Sequence, residues 1–127
     1  MKRGEYVLTT VYTSHSSTSS RKAIQWFKDE GIPFREIRVT KDGVTRQQLI
    51  ELLQLSDNGL EDLLKKKIDI EMVNELSLSE AIKLIVKKPD MLRAPIICNG
   101  KSILIGFHEE AIRMFIPREY RLFKLIV

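Results

Sequence analysis

The order of apolar segments in roughly the first forty residues constrains the fold more than any other feature of this sequence. Residues Tyr6–Tyr12 are rich in β-branched and aromatic side chains, which predicts a buried strand. Ser20–Glu30 carries apolar residues at helical spacing and ends at Gly31, which is typical of a helix. A second strand is predicted from Ile32 to about Val39. Strands joined by one helix are parallel with a right-handed crossover, so an α/β fold is expected.

Apolar residues in the middle of the chain recur at helical spacing. Thr45 is the predicted cap of a helix whose apolar stripe is Leu49, Ile50 and Leu53. Asp57-Asn58-Gly59 interrupts this helix, and a short helix is predicted after it. A further amphipathic helix is predicted from residues spaced i, i+3, i+4 and i+7, namely Leu78, Ala81, Ile82 and Ile85.

The last third of the chain predicts a hairpin and a helix. The predicted elements are a strand over Pro95–Cys98, a two-residue turn at Asn99-Gly100, a strand over Ser102–Ile105 and a helix around Glu109–Met114. The order βαβ, then helices, then ββα predicts a mixed sheet and a thioredoxin-like architecture. We expect a single domain over 1–127, with the core at about 5–40 and 91–127 and a helical insertion at about 44–90.

Composition excludes several classes of protein. The chain has 127 residues, 43% hydrophobic and 30% charged, which suits a globular domain with its own core. No apolar run approaches the roughly 20 residues of a membrane span, and no signal-peptide pattern is present, so a cytoplasmic protein is expected. Cys98 is the only cysteine and His15 and His108 are far apart, so we expect no intrachain disulfide, metal or cofactor. The net charge of +4 comes from scattered residues, which suits a solvated surface or weak attraction to an acidic protein.

Ser17 and Ser20 stand where the first strand meets the first helix. A Cys-x-x-Cys pair often occupies such a join, because a helix N-terminus stabilises a thiolate. A serine hydroxyl is too weak an acid to replace a thiolate without a general base. His15 is close in sequence but has no visible acidic partner, so we expect an exposed loop histidine. Ser19 or Ser20 is the predicted helix cap, and no dithiol chemistry is expected here.

Four segments together resemble the Spx proteins, which are the transcription-regulator branch of the arsenate reductase (ArsC) family. Residues 12–23 are similar to Y-T-S-x-S-C-T-S-C-R-K-A, and residues 31–34 match the family's I-P-F turn into its second strand. Residues 92–97 are similar to L-R-R-P-I-I, and residues 106–118 to G-[YF]-x-E-x-x-I-R-x-F-[IL]-P-R. The segments follow the family's order and extend over almost the whole chain.

The resemblance implies inserted helices in a thioredoxin-like core and binding to the C-terminal domain of the RNA polymerase α subunit. In Spx that contact includes a glycine after the second helix, and the matching residue here is Gly59. Glycine permits positive φ and close backbone approach, while a helix C-cap is an alternative and compatible role for Gly59. The expected docking surface comprises Gly59, Gln54, Leu55, Asn58 and Leu60, with Leu52 and Ser56 beside them. DNA would be reached mainly through the polymerase, and recognition of Arg118–Val127 by a protease adaptor stays open.

The chain also departs from the family pattern. The redox cysteines of Spx fall on Ser17 and Ser20, the second arginine of L-R-R-P falls on Ala94, and another family arginine falls on Gln54. In ArsC-type reductases the arginine at the Ala94 position helps to hold an oxyanion, because a guanidinium forks onto paired oxygens. Arsenate reduction is therefore not expected. The joint loss, together with the surviving Cys98, favours natural divergence over engineered serines.

Several other residues carry expectations. Arg21 and Arg93 are candidate anion-binding residues, and a solvated first-turn charge is the alternative for Arg21. Cys98 is predicted to be a small buried hydrophobe on a core strand. Trp26 and Phe27 are predicted to pack in the core, and Ala94-Pro95 matches the cis-proline position of thioredoxin-like folds.

Three functions stay open on the sequence. The first, which we favour, is a regulator that docks on the polymerase and has no disulfide switch. The second is an enzyme, either an arsenate reductase or a glutaredoxin-like oxidoreductase, and the absent sulfur at Ser17 counts against it. The third is a degenerate family member with another protein partner, because fold does not determine function.

Overall fold

The structure is a computed structural model that describes residues 8–120. The strands are β1 (Thr9–Thr13), β2 (Phe34–Arg38), β3 (Ile96–Cys98) and β4 (Ile103–Ile105). The α-helices are α1 (Thr18–Glu30), α2 (Arg46–Leu55), α3 (Leu60–Leu63), α4 (Ile70–Asn74) and α5 (Leu78–Lys87). Short 3₁₀ helices span Pro89–Met91 and Ala111–Phe115. Within residues 8–120, none of the helices has the length and apolar character that crossing a membrane requires.

The strands form a mixed sheet in the order β2-β1-β3-β4. β1 and β2 are parallel, as the βαβ order predicts, whereas β3 is antiparallel to both of its neighbours. Helices α2 to α5 lie between β2 and β3 in the chain. The mixed sheet and the inserted helices confirm the fold class that the sequence predicts.

Buried apolar side chains form a core on each face of the sheet, because successive residues of a strand point to opposite faces. The α1-side core contains Val11, Ala23, Phe27, Ile32, Ile97, Ile112, Phe115 and Ile116. The α2-side core includes Tyr12, Ile37, Leu49, Leu52, Leu63, Ile82, Ile85, Leu92 and Ile96. Phe27 is fully buried with Trp26 edge-on against it at a ring-centroid distance of 4.9 Å, which confirms their packing role.

Local hydrogen bonds explain where most helices begin. Thr45 and Gln48 form a capping box at the start of α2, and Ser77 and Glu80 form another at the start of α5. The carboxylate of Asp69 accepts N–H groups at the start of α4, a helix that the sequence analysis does not predict. Hydrogen bonding from Ser77 keeps the Glu80 carboxylate ionised and lowers its pKa. These side chains satisfy amide groups that have no partner within their helices.

The first strand and helix differ in detail from the expectation. β1 begins at Thr9 within the described residues, while Tyr6 and Val7 of the predicted strand lie outside them. The cap of α1 is Ser17, not Ser19 or Ser20, because the Ser17 backbone is extended and its hydroxyl accepts the N–H of Ser20. The helix therefore gains most of a turn at its start.

The C-terminal third contains further corrections. The pairing ends with Cys98 opposite Ile103, so four residues connect β3 and β4 instead of the two predicted. The Asn99 side chain accepts the N–H groups of both Lys101 and Ser102 and so organises the longer turn. The predicted final helix is a 3₁₀ helix, and residues 121–127 of the predicted tail lie outside the described part. Leu78 is 60% exposed and does not join the buried stripe of α5, because it occupies the first position of the helix.

Candidate functional site

The hydroxyl of Ser17 lies between the start of α1 and the loop before β3. It accepts the N–H of Ser20 at 3.0 Å and donates to the carbonyl oxygen of Ala94 at 3.3 Å. The Ala94-Pro95 peptide bond is cis, as expected. The fold therefore brings Ser17 and Ala94, which lie 77 residues apart, into contact. The hydroxyl proton points at a carbonyl oxygen and not at a base, so Ser17 is not activated as a nucleophile.

Ser20 has a structural role in the same loop. Its residue surface is only 2% exposed, and its hydroxyl accepts the backbone N–H of Ser14 at 3.1 Å. This hydrogen bond ties the loop back onto the first turn of α1. A buried hydroxyl that is committed to a backbone donor stabilises the loop and is withheld from solvent.

Arg21 and His15 belong to the exposed side of this loop. His15 is exposed, as predicted, and its carbonyl oxygen accepts from Nη1 of Arg21 at 3.1 Å. Nη2 of Arg21 donates to the hydroxyl of Thr18 at 3.2 Å. The neighbouring pocket of about 460 Å³ is lined by Arg38 as well as by the acidic Glu36, so its charges are mixed.

Arg93 lies in a different region from Arg21. Its Nε donates to the carbonyl oxygen of Leu64 at 2.6 Å, and Nη2 donates to that of Glu61 at 3.4 Å. The guanidinium therefore connects the segment before β3 to the end of α3. Arg93 shares depressions with Lys65 and Lys66, whereas Arg21 lines a separate pocket, so the two arginines do not form one anion site.

Gly59 precedes α3 and adopts φ 72° and ψ −141°. The sequence analysis allowed a helix C-cap at this position, but the C-cap of α2 is Ser56, whose N–H donates to the carbonyls of Leu52 and Leu53. Gly59 is the N-terminal boundary of α3 instead. A Cβ atom built at Gly59 meets nothing within 4 Å, so the glycine faces open space. Positive φ with this ψ is strongly unfavourable for other residues.

The loop that carries Gly59 is held in place by Asp62. Its carboxylate accepts the backbone N–H of Asn58 at 2.8 Å and the side-chain amide of Asn58 at 3.2 Å. These hydrogen bonds lower the pKa of Asp62 below its usual value. Asn58 is exposed in this loop. The backbone around Gly59 is therefore ordered before any partner arrives, which reduces the entropy lost on binding.

The other residues of the expected docking surface differ in exposure. Gln54 is exposed and Leu55 and Leu60 are half-buried, so each retains accessible surface. Leu52, which the sequence analysis placed beside this surface, is fully buried in the α2-side core and offers nothing to a partner. Its helical position turns it toward the sheet, as expected for the apolar side of an amphipathic helix.

Cys98 is half-buried, not fully buried as predicted. Burial, followed by the negative charge of Glu51, raises the pKa of its thiol to about 11. The thiol opens into a pocket beneath Gln54 and Leu55. Sequence analysis missed this pocket because no local pattern shows that Cys98 and Glu51 face the same space. Within residues 8–120, no cluster of three or more histidine, cysteine or acidic side chains could hold a metal ion.

The sheet order, the cis proline beside the start of α1 and the helices inserted before β3 define a thioredoxin-like protein. A model of the ArsC family matches residues 12–115. The global transcriptional regulator Spx of Streptococcus mutans is 41% identical over 120 residues, which cover 90% of this chain and 87% of that protein. Spx of Streptococcus pyogenes serotype M1 is 39% identical over 120 residues, covering 90% of this chain and 89% of that protein.

A solved structure supports the same fold. The crystal structure of a possible arsenate reductase from Streptococcus mutans matches with a TM-score of 0.67 and 19% identity, covering 84% of this chain and 98% of that chain. At this identity the likeness shows the fold alone. The chain belongs to the ArsC family, in the branch of the Spx transcriptional regulators.

Proposed function

We propose that this protein regulates transcription in the cytoplasm by binding the C-terminal domain of the RNA polymerase α subunit, without a disulfide switch. The docking surface is centred on Gly59 and includes Gln54, Leu55, Asn58 and Leu60. DNA is contacted through the bound polymerase. The protein acts constitutively, so its abundance sets its effect.

The geometry of Gly59 is the observation that carries this proposal. The residue combines a positive φ with open space where a side chain would project. A partner can therefore approach the backbone closely, which no other residue type would permit at this position. In the proposed contact, the half-buried Leu55 and Leu60 supply apolar area and the exposed Gln54 supplies polar area. Protein interfaces commonly combine an apolar centre with a polar rim.

The cysteine content of the chain supports the absence of a disulfide switch. Cys98 is the only cysteine of the chain, so no intrachain disulfide can form. Thiol-dependent reduction is also disfavoured, because Cys98 lies opposite Thr10 near the start of β1, whereas Ser17 follows the end of that strand. A thiolate at Cys98 would therefore lie away from the helix N-terminus that activates a thiol in this fold.

Calorimetric titration against the isolated polymerase domain tests the proposal. Gly59→Arg places a bulky charge on the contact and should weaken binding at least tenfold, or about 1.4 kcal/mol. Gly31→Arg is the matched control, because Gly31 also has positive φ and open space but lies at the end of α1. Gly31 has φ 69° and ψ 25°, in the left-handed region that other residues can adopt, whereas Gly59 has φ 72° and ψ −141°, which costs more. Gly31→Arg therefore controls for the added charge, and the folding of Gly59→Arg is checked separately.

Wild-type protein and Gly31→Arg should bind saturably, with Gly59→Arg folded by circular dichroism but defective. Equal affinity of both variants would move the contact away from Gly59, and absence of wild-type binding would overturn the proposal. The titration repeated after peroxide treatment should give an unchanged Kd. A large shift would contradict the proposed absence of redox control.

A further inference from the structure

A pocket of about 490 Å³ lies between the sheet and the last turns of α2. Its described lining consists of Leu8, Thr10, Tyr12, Arg35, Glu51, Gln54, Leu55, Cys98 and Gly100. This volume falls within the range of small-molecule sites, about 300–1,000 Å³. The loop of Ser17 and Ser20 is not part of this lining, so the pocket is distinct from the position of the family's redox residues.

Strand register builds the floor of the pocket. Thr10 pairs with Arg35 on one side and with Cys98 on the other, so the three side chains form a row on one face of the sheet. Tyr12 follows two residues along β1 on the same face. Helix α2 covers this row with Glu51, Gln54 and Leu55, whose i, i+3, i+4 spacing puts them on one side of the helix.

The hydroxyl of Tyr12 is the strongest sign that this pocket receives a ligand. Tyr12 is only 2% exposed, yet no hydrogen bond joins its hydroxyl to another residue in the range 8–120. In that same range, no polar side-chain atom is both completely shielded and unpaired, so the phenol oxygen reaches the space of the pocket. The hydroxyl of so buried a residue normally has a hydrogen-bond partner, and because this oxygen opens into the pocket, a ligand there can supply one.

Opposite charges stand at the rim. Arg35 and Glu51 are both exposed, and each acts electrostatically on both Tyr12 and Cys98. The two charges therefore face the same space from the sheet and from α2. Leu8 and Leu55 add apolar surface to the lining. A ligand with an anionic group, a cationic group and an apolar part would match all three features.

We propose that this pocket binds a small zwitterion of the amino-acid or short-peptide class. Its carboxylate faces Arg35, its ammonium group faces Glu51, and its apolar side chain lies against Leu55. The hydroxyl of Tyr12 completes its hydrogen bonding with the ligand. The pocket shares Gln54 and Leu55 with the proposed polymerase contact. The two proposals are tested by different readouts, protection of Cys98 here and binding of the polymerase domain there, so each can fail without the other.

The thiol of Cys98 reports on occupancy of the pocket, because a bound ligand would cover it. Purified full-length protein is alkylated with iodoacetamide at mildly alkaline pH, with and without millimolar L-leucine, the dipeptide Leu-Leu or another common L-amino acid. Leucinamide, which lacks the carboxylate, and 4-methylpentanoate, which lacks the ammonium group, are the matched probes. At least one zwitterion should slow alkylation several-fold and saturably, while both single-charge analogues should not.

Variants test whether protection of Cys98 arises from a ligand in this pocket. Tyr12→Phe removes only the hydroxyl, and Arg35→Gln removes only the rim cation, so both should lose most of the protection. Arg46→Gln, an exposed change at the start of α2, should keep it. Failure of every zwitterion to protect Cys98 would overturn the proposal. Equal protection by the single-charge analogues, or full protection in both Tyr12→Phe and Arg35→Gln, would overturn it as well.

Discussion

The loop before α1 and the floor of the pocket under α2 would have opposite effects on the acidity of a thiol. At Ser17 the side-chain oxygen already accepts a helix N–H, and a thiolate at the same place would be stabilised by the same donor. At Cys98, burial and the charge of Glu51 disfavour the thiolate and raise the thiol pKa to about 11. The position that would favour a thiolate is occupied by Ser17, whereas the environment of the one cysteine disfavours a thiolate. The reactivity of a thiol in this protein therefore depends on its position in the fold.

The largest expected effect comes from putting a thiol into the first of these environments. In Ser17→Cys, the helix N-terminus should lower the new thiol's pKa to about 7.5 or below, against about 11 for Cys98. At neutral pH the thiolate fractions should then differ by more than about a thousandfold. Site-resolved alkylation followed by mass spectrometry measures both rates in one molecule. Ser19→Cys, on the exposed surface of α1, is the control, and equal rates at positions 17 and 98 would break the comparison.

A smaller effect is expected from pH on the native thiol. Because only the thiolate reacts, and its fraction rises as pH approaches the pKa from below, alkylation of Cys98 should increase about tenfold per pH unit above neutrality. The rate should level off near pH 11, whereas an ordinary cysteine levels off near about 8.5. A plateau near the ordinary value would show that burial and Glu51 do not control this thiol.

The smallest effect concerns the cap itself. Ser17→Ala removes the acceptor for the N–H of Ser20 and the donor to Ala94, and should lower the free energy of unfolding by about 1 kcal/mol. Urea denaturation measures the change. Ser19 is two residues further along the chain and exposed, so Ser19→Ala should change the free energy of unfolding by less than about 0.5 kcal/mol. Equal losses in the two variants would mean that the hydroxyl of Ser17 contributes no more than any surface serine.

Local interactions explain which parts of the fold could be predicted. The capping residue Thr45, the helix end at Gly31 and the apolar stripe Ala81, Ile82 and Ile85 depend on groups within about one helical turn. The predicted cap of α1 was wrong by two or three residues, because five serines and Thr18 between Ser14 and Ser20 offer competing hydroxyls. Only the completed loop selects the hydroxyl of Ser17 for the helix and that of Ser20 for Ser14.

The candidate site also has a part that local sequence predicts and a part that it does not. The sequence predicts Gly59 and its neighbours, because Asp57-Asn58-Gly59 interrupts a helical pattern and matches a family position. It could not predict that Leu52 is buried while Gln54 is exposed, or that Asp62 holds Asn58, without the register of α2 and the position of α3. Those facts depend on how helices meet the sheet.

The sequence by itself determined the βαβ and hairpin order, the cap of α2 at Thr45, the end of α1 at Gly31, the family and the absence of a second cysteine. Each follows from residue identity or from contacts a few positions apart. The tertiary structure alone decided that Ser17 meets Ala94 and that Thr10, Arg35 and Cys98 share one row beneath α2. Strand register and helix packing join residues that are distant in the chain, and no local preference encodes which of them will face the same space.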